Sequence, residues 1–360
     1  MVFYHDIKKL PTDVRRRLLE RLLLLRESLD EEIPERTQKE TLLLATWNIR
    51  EFDAPDYGER MEEAIYYIAE IIDRFDLIAI QEVQKDLRGL ERLMKVLGGY
   101  WKYIFTDTTK GSRGNDERMA FLYDSRKVTH GGLAGELVLP PIKQPDGTLK
   151  PVTQLARTPF ICGFRSGWTK FMLATVHIIW GTGEAEPEVR VKEIRQVAQF
   201  LHERTEDETA WARNLILLGD FNIFRHDDET FKELLKAEFV IPEQIQELPP
   251  TSVAKPRFYD QIAFRIRKDS LDMTGKAGVF NFYKTVYRDE DEALYAPHMP
   301  EAYKTDKDGN PRSDAYKRTY YRSLWRTHQM SDHLPMWVEL RIDYSDEYLK
   351  YLQRKLDEGS

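Results

Sequence analysis

Polar side chains that can bind a metal ion or move a proton stand at the ends of the apolar runs in this sequence. They are Asn48, Glu82, His177, Asp220, Asn222, Asp260, Asp332 and His333. Carboxylate and amide oxygens are the ligands that hard cations such as Mg²⁺ prefer, and two imidazoles add acid–base capacity near neutral pH. Oxygen ligands without a Cys or His cluster argue against structural zinc. The set predicts a site that combines a hard cation with proton transfer.

The positions of these residues matter more than any one of them. A single Asn or Asp beside a strand is more often a turn residue than a ligand, whereas strand ends are where a sheet presents side chains to a cleft. Short runs rich in Leu, Ile and Val predict strands at 42–47, 76–81, 119–123, 171–176, 214–219, 260–266 and 335–340. Amphipathic periodicity predicts helices at 12–29, 58–74, 87–97, 188–204, 229–237 and 345–357.

The first predicted helix precedes the regular part of the chain. Thr12 is its expected N-cap, and Leu19, Leu23 and Leu24 widen its apolar face. Its periodic apolar residues are Val14, Leu18, Leu22, Leu25 and Leu29. We expect this face to pack on the main domain, with a dimer or partner interface as the alternative. The predicted organisation is an N-terminal extension with linker, a catalytic domain and a C-terminal helix, at 1–40, 41–342 and 343–360.

Composition and charge limit the class of protein. Of 360 residues, 41% are hydrophobic and 32% are charged, which is typical of a globular chain and not of a disordered one. The formal net charge of −7 argues against a protein that coats nucleic acid through bulk positive charge. The single cysteine, Cys162, excludes an intramolecular disulfide. No apolar run suits a signal peptide or the roughly 18 residues of a membrane span, so we expect a cytoplasmic protein.

Six blocks that contain these polar residues resemble, in the same order, motifs of the endonuclease/exonuclease/phosphatase superfamily. They are TWNIREF, AIQEVQ, DERMAFLYD, ATVHIIWG, LLGDFNIF and MSDHLP. Within that superfamily, WNIREF, ARTPF and RFYDQIAF resemble segments of the deoxyribonuclease I-like proteins. QEVQ differs from the Gln-Glu-Thr-Lys of the abasic-site nucleases, which argues against abasic-site repair.

The resemblance implies a fold and a cation. The fold is α/β, a four-layer α/β sandwich in which two stacked mixed β-sheets are flanked by helices, with the active site in a cleft at one end. The implied cofactor is Mg²⁺, with Mn²⁺ or Ca²⁺ as alternatives. By the resemblance, Glu82 binds the cation with help from Asn48 and Asp332.

The resemblance also implies catalytic residues. His333 is oriented by Asp260 and His177 by Glu117, and which imidazole is the acid and which the base stays open. An imidazole held by a carboxylate keeps one tautomer and can exchange a proton with water. The residues implied to contact water or the phosphate are Asp220, Asn222, Arg157 and Arg50.

Three departures from the deoxyribonuclease I pattern concern substrate binding and stability. That pattern has an arginine that enters the DNA minor groove where this chain has Gln84. It has a tyrosine that contacts DNA where this chain has Asn115. Its internal disulfide is impossible here. The catalytic residues match while these substrate-binding residues do not.

Residues 288–330 form a long, polar, tyrosine-rich segment directly before the last block. Its basic residues lie among aromatics, and such a mixture can hold phosphates and stack on bases. One hypothesis makes Arg318 and Arg322 part of a replacement substrate-binding surface. The alternative is a solvated loop, or a helix whose aromatics pack inward.

Three functional hypotheses follow. The first is an Mg²⁺-dependent nuclease that acts on DNA or RNA. The second is a phosphatase or phosphodiesterase for a small molecule or a lipid headgroup, such as an inositol phosphate or sphingomyelin, because the superfamily includes both. The third, a non-catalytic binding protein, is disfavoured because every implied catalytic residue is in place.

Overall fold

The computed structural model describes residues 1–52, 54, 59–110, 115–266 and 271–358. The strands are β1 Thr41–Phe52, β2 Leu77–Val83, β3 Trp101–Phe105, β4 Arg118–Asp124, β5 Val128–Glu136, β6 Ile142–Lys143, β7 Leu149–Lys150, β8 Phe160–Ser166, β9 Thr169–His177, β10 Leu215–Asp220, β11 Asp260–Arg265, β12 Asp272–Val279 and β13 Met336–Arg341. The helices are α1 Thr12–Glu32, α2 Glu62–Ile72, α3 Arg88–Leu97, α4 Glu188–Glu206, α5 Glu229–Lys236, α6 Glu243–Gln246, α7 Glu292–Tyr295, α8 Glu301–Lys304, α9 Asp314–Tyr320, α10 Arg326–Gln329 and α11 Ser345–Glu358.

Two mixed sheets are stacked and flanked by helices. The first has the strand order β12-β13-β1-β2-β4-β3, and the second has the order β11-β10-β9-β8-β5. In each sheet one central pair is parallel, β1 with β2 and β9 with β10, and the other pairs are antiparallel. This confirms the predicted α/β sandwich.

Alternate side chains of β1 lie in two different hydrophobic clusters, because successive side chains of a strand point to opposite faces. Leu43 and Trp47 belong to the cluster that also contains buried residues of α1, α2 and α3. Leu42 and Leu44 belong to the other cluster, which contains the inner faces of both sheets and buried residues of α4 and α5. The two sheets and their helices therefore pack as successive layers.

A buried polar contact joins the sheets beneath the site. Gln81 Nε2 of β2 donates to Thr46 Oγ1 of β1 at 3.2 Å and to Thr175 Oγ1 of β9 at 2.8 Å. All three side chains are fully buried. Since a buried amide is costly unless it is hydrogen-bonded, this contact favours one position of the second sheet against the first.

All seven predicted strands are present, but the sequence missed others at or near the sheet edges. β5 (VTHGGLAGE) and β12 (DMTGKAGV) are glycine-containing and largely exposed or half-buried, so they show no continuous apolar run. The main predicted helices are also present. The helix expected at 58–74 starts at Glu62, and residue 58 lies outside the described residues.

The helix α1 packs on the main domain. Leu18, Leu22, Leu25 and Leu29 are buried in the cluster shared with α2. Two expectations about this helix were wrong. Its N-cap is Pro11 without a side-chain cap, and Thr12 is the first helical residue. The leucines expected to widen the apolar face, Leu19, Leu23 and Leu24, are exposed because the contact with the domain is narrow.

The tyrosine-rich segment forms short helices whose aromatics pack inward. Tyr321 and Trp325 are fully buried and contact the rings of Tyr287 and Tyr295. The proposed stacking of bases on these aromatics was therefore wrong, because their ring faces belong to the core. In the described part of the chain, no helix is long and apolar enough to cross a membrane.

We predict that Leu25→Ala lowers the free energy of unfolding by about 3 kcal/mol, because it opens a cavity between α1 and the domain. The matched control Leu23→Ala removes an exposed leucine from the same helix and should stay within about 0.5 kcal/mol of the parent. Urea denaturation followed by circular dichroism measures both. Equal effects would mean that α1 does not use this face for packing.

Candidate active site

Strand register places three of the polar residues side by side in the second sheet. Asp220 at the end of β10 pairs with His177 at the end of β9 and with Asp260 at the start of β11. The parallel strands β9 and β10 end at the same edge, and the antiparallel β11 begins there. His177, Asp220 and Asp260 thus form a row along one edge of the sheet.

The first sheet brings Asn48 and Glu82 to the same place. Asn48 lies opposite Gln81 in the parallel β1–β2 pair, and the register shifts directly afterwards. Glu82 has a φ of 62°, in the left-handed region that non-glycine residues seldom adopt. The backbone N–H of Glu51 donates to Glu82 Oε2 at 2.8 Å and so fixes the carboxylate. Strain of this kind persists only where the surrounding contacts hold it.

Asp220 lies at the centre, where the two sheets meet. Asn48 Nδ2 donates to Asp220 Oδ2 at 3.0 Å and to Glu82 Oε1 at 2.9 Å. The same Asp220 Oδ2 lies 3.6 Å from His177 Nε2 and 3.7 Å from His333 Nε2. Because Asp220 is only 2% exposed, these groups must replace water around its charge.

Each of the two imidazoles has a different carboxylate beside its Nδ1 atom. His177 Nδ1 lies 2.6 Å from Glu117 Oε1, and His333 Nδ1 lies 2.8 Å from Asp260 Oδ2. A proton on each Nδ1 therefore faces a carboxylate, and each Nε2 faces Asp220. Burial lowers the pKa of both rings, but the neighbouring carboxylates outweigh it. The pKa of His177 is raised, and that of His333 is raised well above its ordinary value.

Oxygen atoms suited to a cation lie beside this centre. Burial raises the pKa of Glu82, and the negative charges of Glu117 and Asp332 add to that effect while His177 opposes it. Asn48 Oδ1 is buried and has no hydrogen-bond donor among the described residues. A cation would satisfy this oxygen and relieve the repulsion between the acids.

A second possible ligand set shares one of these residues. Glu82, Glu117 and His177 place ligand atoms within 4.8 Å of one another. However, Glu117 is already engaged by His177 and by an ion pair with Arg157. Glu82 belongs to both possible sets, and the unpartnered Asn48 Oδ1 adds an oxygen ligand that the triplet does not include.

Known proteins share this sequence pattern. The sequence profile of the endonuclease/exonuclease/phosphatase family matches residues 45–238. The chain belongs to this family. Its members are hydrolases that act on phosphoesters. The family membership predicted from the six sequence blocks is therefore confirmed.

One curated relative and two solved structures are similar to this chain. A deoxyribonuclease from Thioalkalivibrio sp. (strain K90mix) is 30% identical over 247 residues, which are 67% of this chain and 62% of the relative. The catalytic domain of human Nocturnin, 16% identical, aligns with a TM-score of 0.52 over 83% of this chain and 94% of its own. The mannosyl-6-phosphatase Bt3783 of Bacteroides thetaiotaomicron VPI-5482, 17% identical, aligns with a TM-score of 0.50 over 83% and 99%. The two solved structures show that this chain shares their fold. The match to the deoxyribonuclease spans less than two thirds of that relative's length.

The structure brings most of the predicted site residues of this family member together around Asp220. Asn222 braces that carboxylate, since its backbone N–H donates to Asp220 Oδ1 at 2.8 Å and its Nδ2 donates to Ile178 O at 2.8 Å. Arg157 is buried beside the pair of Glu117 and His177. The residues within this group are Asn48, Glu82, Glu117, Arg157, His177, Asp220, Asn222, Asp260 and His333.

The other predicted phosphate-binding arginines lie elsewhere. Arg50 Nη1 donates to Ser323 O at 3.2 Å and to Thr327 Oγ1 at 2.6 Å, which directs its guanidinium to the tyrosine-rich segment. Arg318 is exposed on α9, and Arg322 is exposed and pairs with Asp289 at 3.2 Å. Among the described residues, none of the three arginines contacts Asp220 or the two histidines.

One positioning residue was missed in the sequence. Ser331 Oγ donates to Asn48 O at 2.6 Å and accepts from His333 N at 3.0 Å and from Arg50 N at 3.2 Å. It therefore ties the end of β1 to the loop that carries His333. Its only signal in the sequence was its place in the MSDHLP block, beside Asp332.

We predict that Gly219→Ala lowers the free energy of unfolding by about 2 kcal/mol, a typical cost of backbone strain. Gly219 has a φ of 131°, and a Cβ there would overlap the carbonyl oxygen of Val176 on β9. The control Gly135→Ala lies in a strand with open space around the new Cβ and should change stability little. Thermal melting of both variants tests this, and an unperturbed Gly219→Ala would contradict the close approach of β9 and β10.

Proposed function

We propose that this chain is a divalent-metal-dependent phosphodiesterase, and specifically a nuclease that hydrolyses DNA or RNA. The observation that carries the proposal is the position of Asp220 Oδ2, 3.6 and 3.7 Å from the Nε2 atoms of His177 and His333, each of which is backed by a carboxylate. Phosphodiester hydrolysis needs a group that takes a proton from water and one that protonates the leaving oxygen. The two imidazoles, each beside a carboxylate and both close to Asp220, supply both of these groups.

The proposed roles follow from position. Asp220 and one imidazole Nε2 orient the attacking water and accept its proton, while the other imidazole protonates the leaving oxygen or binds the phosphate as a cation. Asn222 keeps Asp220 in place. Arg157 adds positive charge beside His177, where negative charge on the phosphate grows during the reaction.

The proposed cation is Mg²⁺, with Mn²⁺ or Ca²⁺ as alternatives, held by Glu82, Asn48 Oδ1 and Asp332. When bound, it polarises a phosphoryl oxygen and offsets the charge that develops on the phosphate. The unpartnered buried oxygen of Asn48 supports this assignment. Oxygen ligands without a thiolate are also the preference of a hard cation.

The proposed polymer substrate rests on the curated relative. That protein is named a deoxyribonuclease and is 30% identical over 247 residues, which are 67% of this chain. A small phosphoester is the second candidate substrate. It is favoured by Gln84 and Asn115, which stand where the deoxyribonuclease I pattern has its DNA-contacting arginine and tyrosine.

We predict that the purified protein cleaves at least one of supercoiled plasmid, single-stranded DNA and RNA in Mg²⁺ and none in EDTA. His333→Ala should slow cleavage by at least about a hundredfold, because it removes one proton-transfer group. Gel analysis of time courses measures both effects. The control His298→Ala removes an exposed histidine outside the site and should leave the rate unchanged.

Cleavage in EDTA, or equal rates for His333→Ala and His298→Ala, would contradict the proposed metal dependence or the proposed centre. A folded protein that cleaves no polymer but hydrolyses inositol phosphates or a lipid phosphodiester in Mg²⁺ would replace the nuclease by the second candidate. In that case the catalytic centre would stand and the substrate class would change.

We predict that Glu82→Gln raises the Kd for Mg²⁺ by more than about tenfold, because the charge of the ligands sets the affinity of a hard-cation site. Isothermal titration calorimetry without substrate measures this directly. The control Glu208→Gln removes an exposed carboxylate and should bind Mg²⁺ as the parent does. Unchanged affinity in Glu82→Gln would move the cation away from this carboxylate.

A further inference from the structure

A group of three aromatic rings and one arginine lies beside His333 and is not used by the proposed chemistry. We call it the Trp180 ledge, and it consists of Trp180, Phe224, Arg257 and Tyr259. The ring of Trp180 lies 5.3 Å from that of Phe224 and 5.5 Å from that of Tyr259. The Tyr259 ring in turn lies 5.4 Å from the imidazole of His333. Two ring contacts therefore separate Trp180 from the catalytic centre.

Arg257 supplies a positive charge without an acidic partner. Its guanidinium carbon lies 3.6 Å from the ring centroid of Phe224 and 5.5 Å from that of Trp180. Its Nη1 donates to Tyr259 Oη at 3.0 Å. Across the described residues, no Asp or Glu forms an ion pair with Arg257. A half-buried guanidinium held over aromatic rings and facing no carboxylate is suited to bind a phosphate.

The loop that carries Trp180 is fixed from below by a second arginine. Arg190 of α4 is fully buried and donates to the backbone oxygens of Ile179, Trp180, Glu184 and Ala185. Four hydrogen bonds from one guanidinium leave this loop little freedom. The position of Trp180 is therefore set before a ligand arrives, which lowers the entropy cost of binding.

Exposure distinguishes the ledge from ordinary core packing. Phe224 and Tyr259 are each only 8% exposed, whereas Trp180 is 39% exposed on top of them. A tryptophan that served only to cover the core would lie over the rings beneath it with little surface left to solvent. Trp180 instead presents ring surface next to an unpaired cation and close to the catalytic histidine.

We propose that the Trp180 ledge binds the nucleotide next to the scissile phosphate, with its base stacked on Trp180 and its phosphate on Arg257. This proposal rests on the nuclease function proposed above and names the contacts that give it affinity for a polymer. Stacking on an aromatic ring accepts any base, because every base has a π-face. The ledge therefore supplies substrate contacts that the positions of Gln84 and Asn115 lack.

The test uses the full chain and a short single-stranded oligodeoxynucleotide labelled with fluorescein. The ledge variants are Trp180→Ala, Trp180→Phe, Arg257→Gln and Arg257→Lys. The matched control is Trp168→Ala, since Trp168 is also exposed but precedes β9, about 30 Å of strand away from His177. Cleavage gives KM and kcat, and anisotropy in EDTA with His333→Ala as the background gives a Kd that does not depend on turnover.

We expect Trp180→Ala to raise KM and Kd about tenfold, with a much smaller change in kcat, and Trp180→Phe to restore most of the affinity. Arg257→Gln should weaken binding and lower the slope of log Kd against log salt by about 0.7, the value for one lost phosphate contact on a single strand. Arg257→Lys should keep that slope because it keeps the charge. Trp168→Ala should match the parent.

Each contrary outcome has a distinct meaning. If the parent cleaves the oligonucleotide and Trp180→Ala behaves like Trp168→Ala, the ledge proposal is wrong and the nuclease function stands. If kcat falls while KM and Kd stay constant, the ledge positions His333 and does not bind substrate, which also overturns the proposal. If the parent cleaves plasmid DNA or RNA but neither binds nor cleaves the oligonucleotide, the ledge proposal is wrong and the nuclease function stands. If the parent cleaves none of these polymers, both proposals fail.

Discussion

Burial of the Asp220 carboxylate is the constraint on which the site depends. A charge that is only 2% exposed must be compensated by fixed donors, and those donors come from both sheets. Asn48 approaches from the first sheet, His177 from the second, and His333 from the loop before β13. Any slip of one sheet against the other would leave this charge unpaired. Correct stacking of the layers and correct assembly of the site are therefore one requirement.

Much of this centre could be predicted because its residues follow strands that are buried on both faces. A continuous apolar run ends at each of Asn48, Glu82, His177 and Asp220. Such runs can be identified in a sequence without knowing which strands pair with each other. The edge strands were missed for the opposite reason. β5 and β12 are half-solvated and contain glycines, so neither periodicity nor composition separates them from loops.

Contacts between distant segments could not be read from the chain. Tyr321 and Trp325 lie among basic residues in the sequence, yet their rings pack against Tyr287 and Tyr295 in the core. The contact between Arg257 and Trp180 is a second example of a contact that the sequence does not show. These two residues are separated by 77 positions and occur in two different sequence blocks. Only the folded chain places the guanidinium of Arg257 beside the ring of Trp180.

The catalytic centre and the surfaces around it obey different physical demands. Around Asp220, the side chains are joined to one another by charge or hydrogen bonds, so a change at one position leaves a buried group unsatisfied. The surrounding surface has no such requirement, since a stacked ring or a phosphate-binding arginine can be supplied by any loop that reaches the cleft. One centre can therefore serve different phosphoesters, and under the proposal made above the substrate of this chain is selected by loops such as the one that carries Trp180 and is held by Arg190.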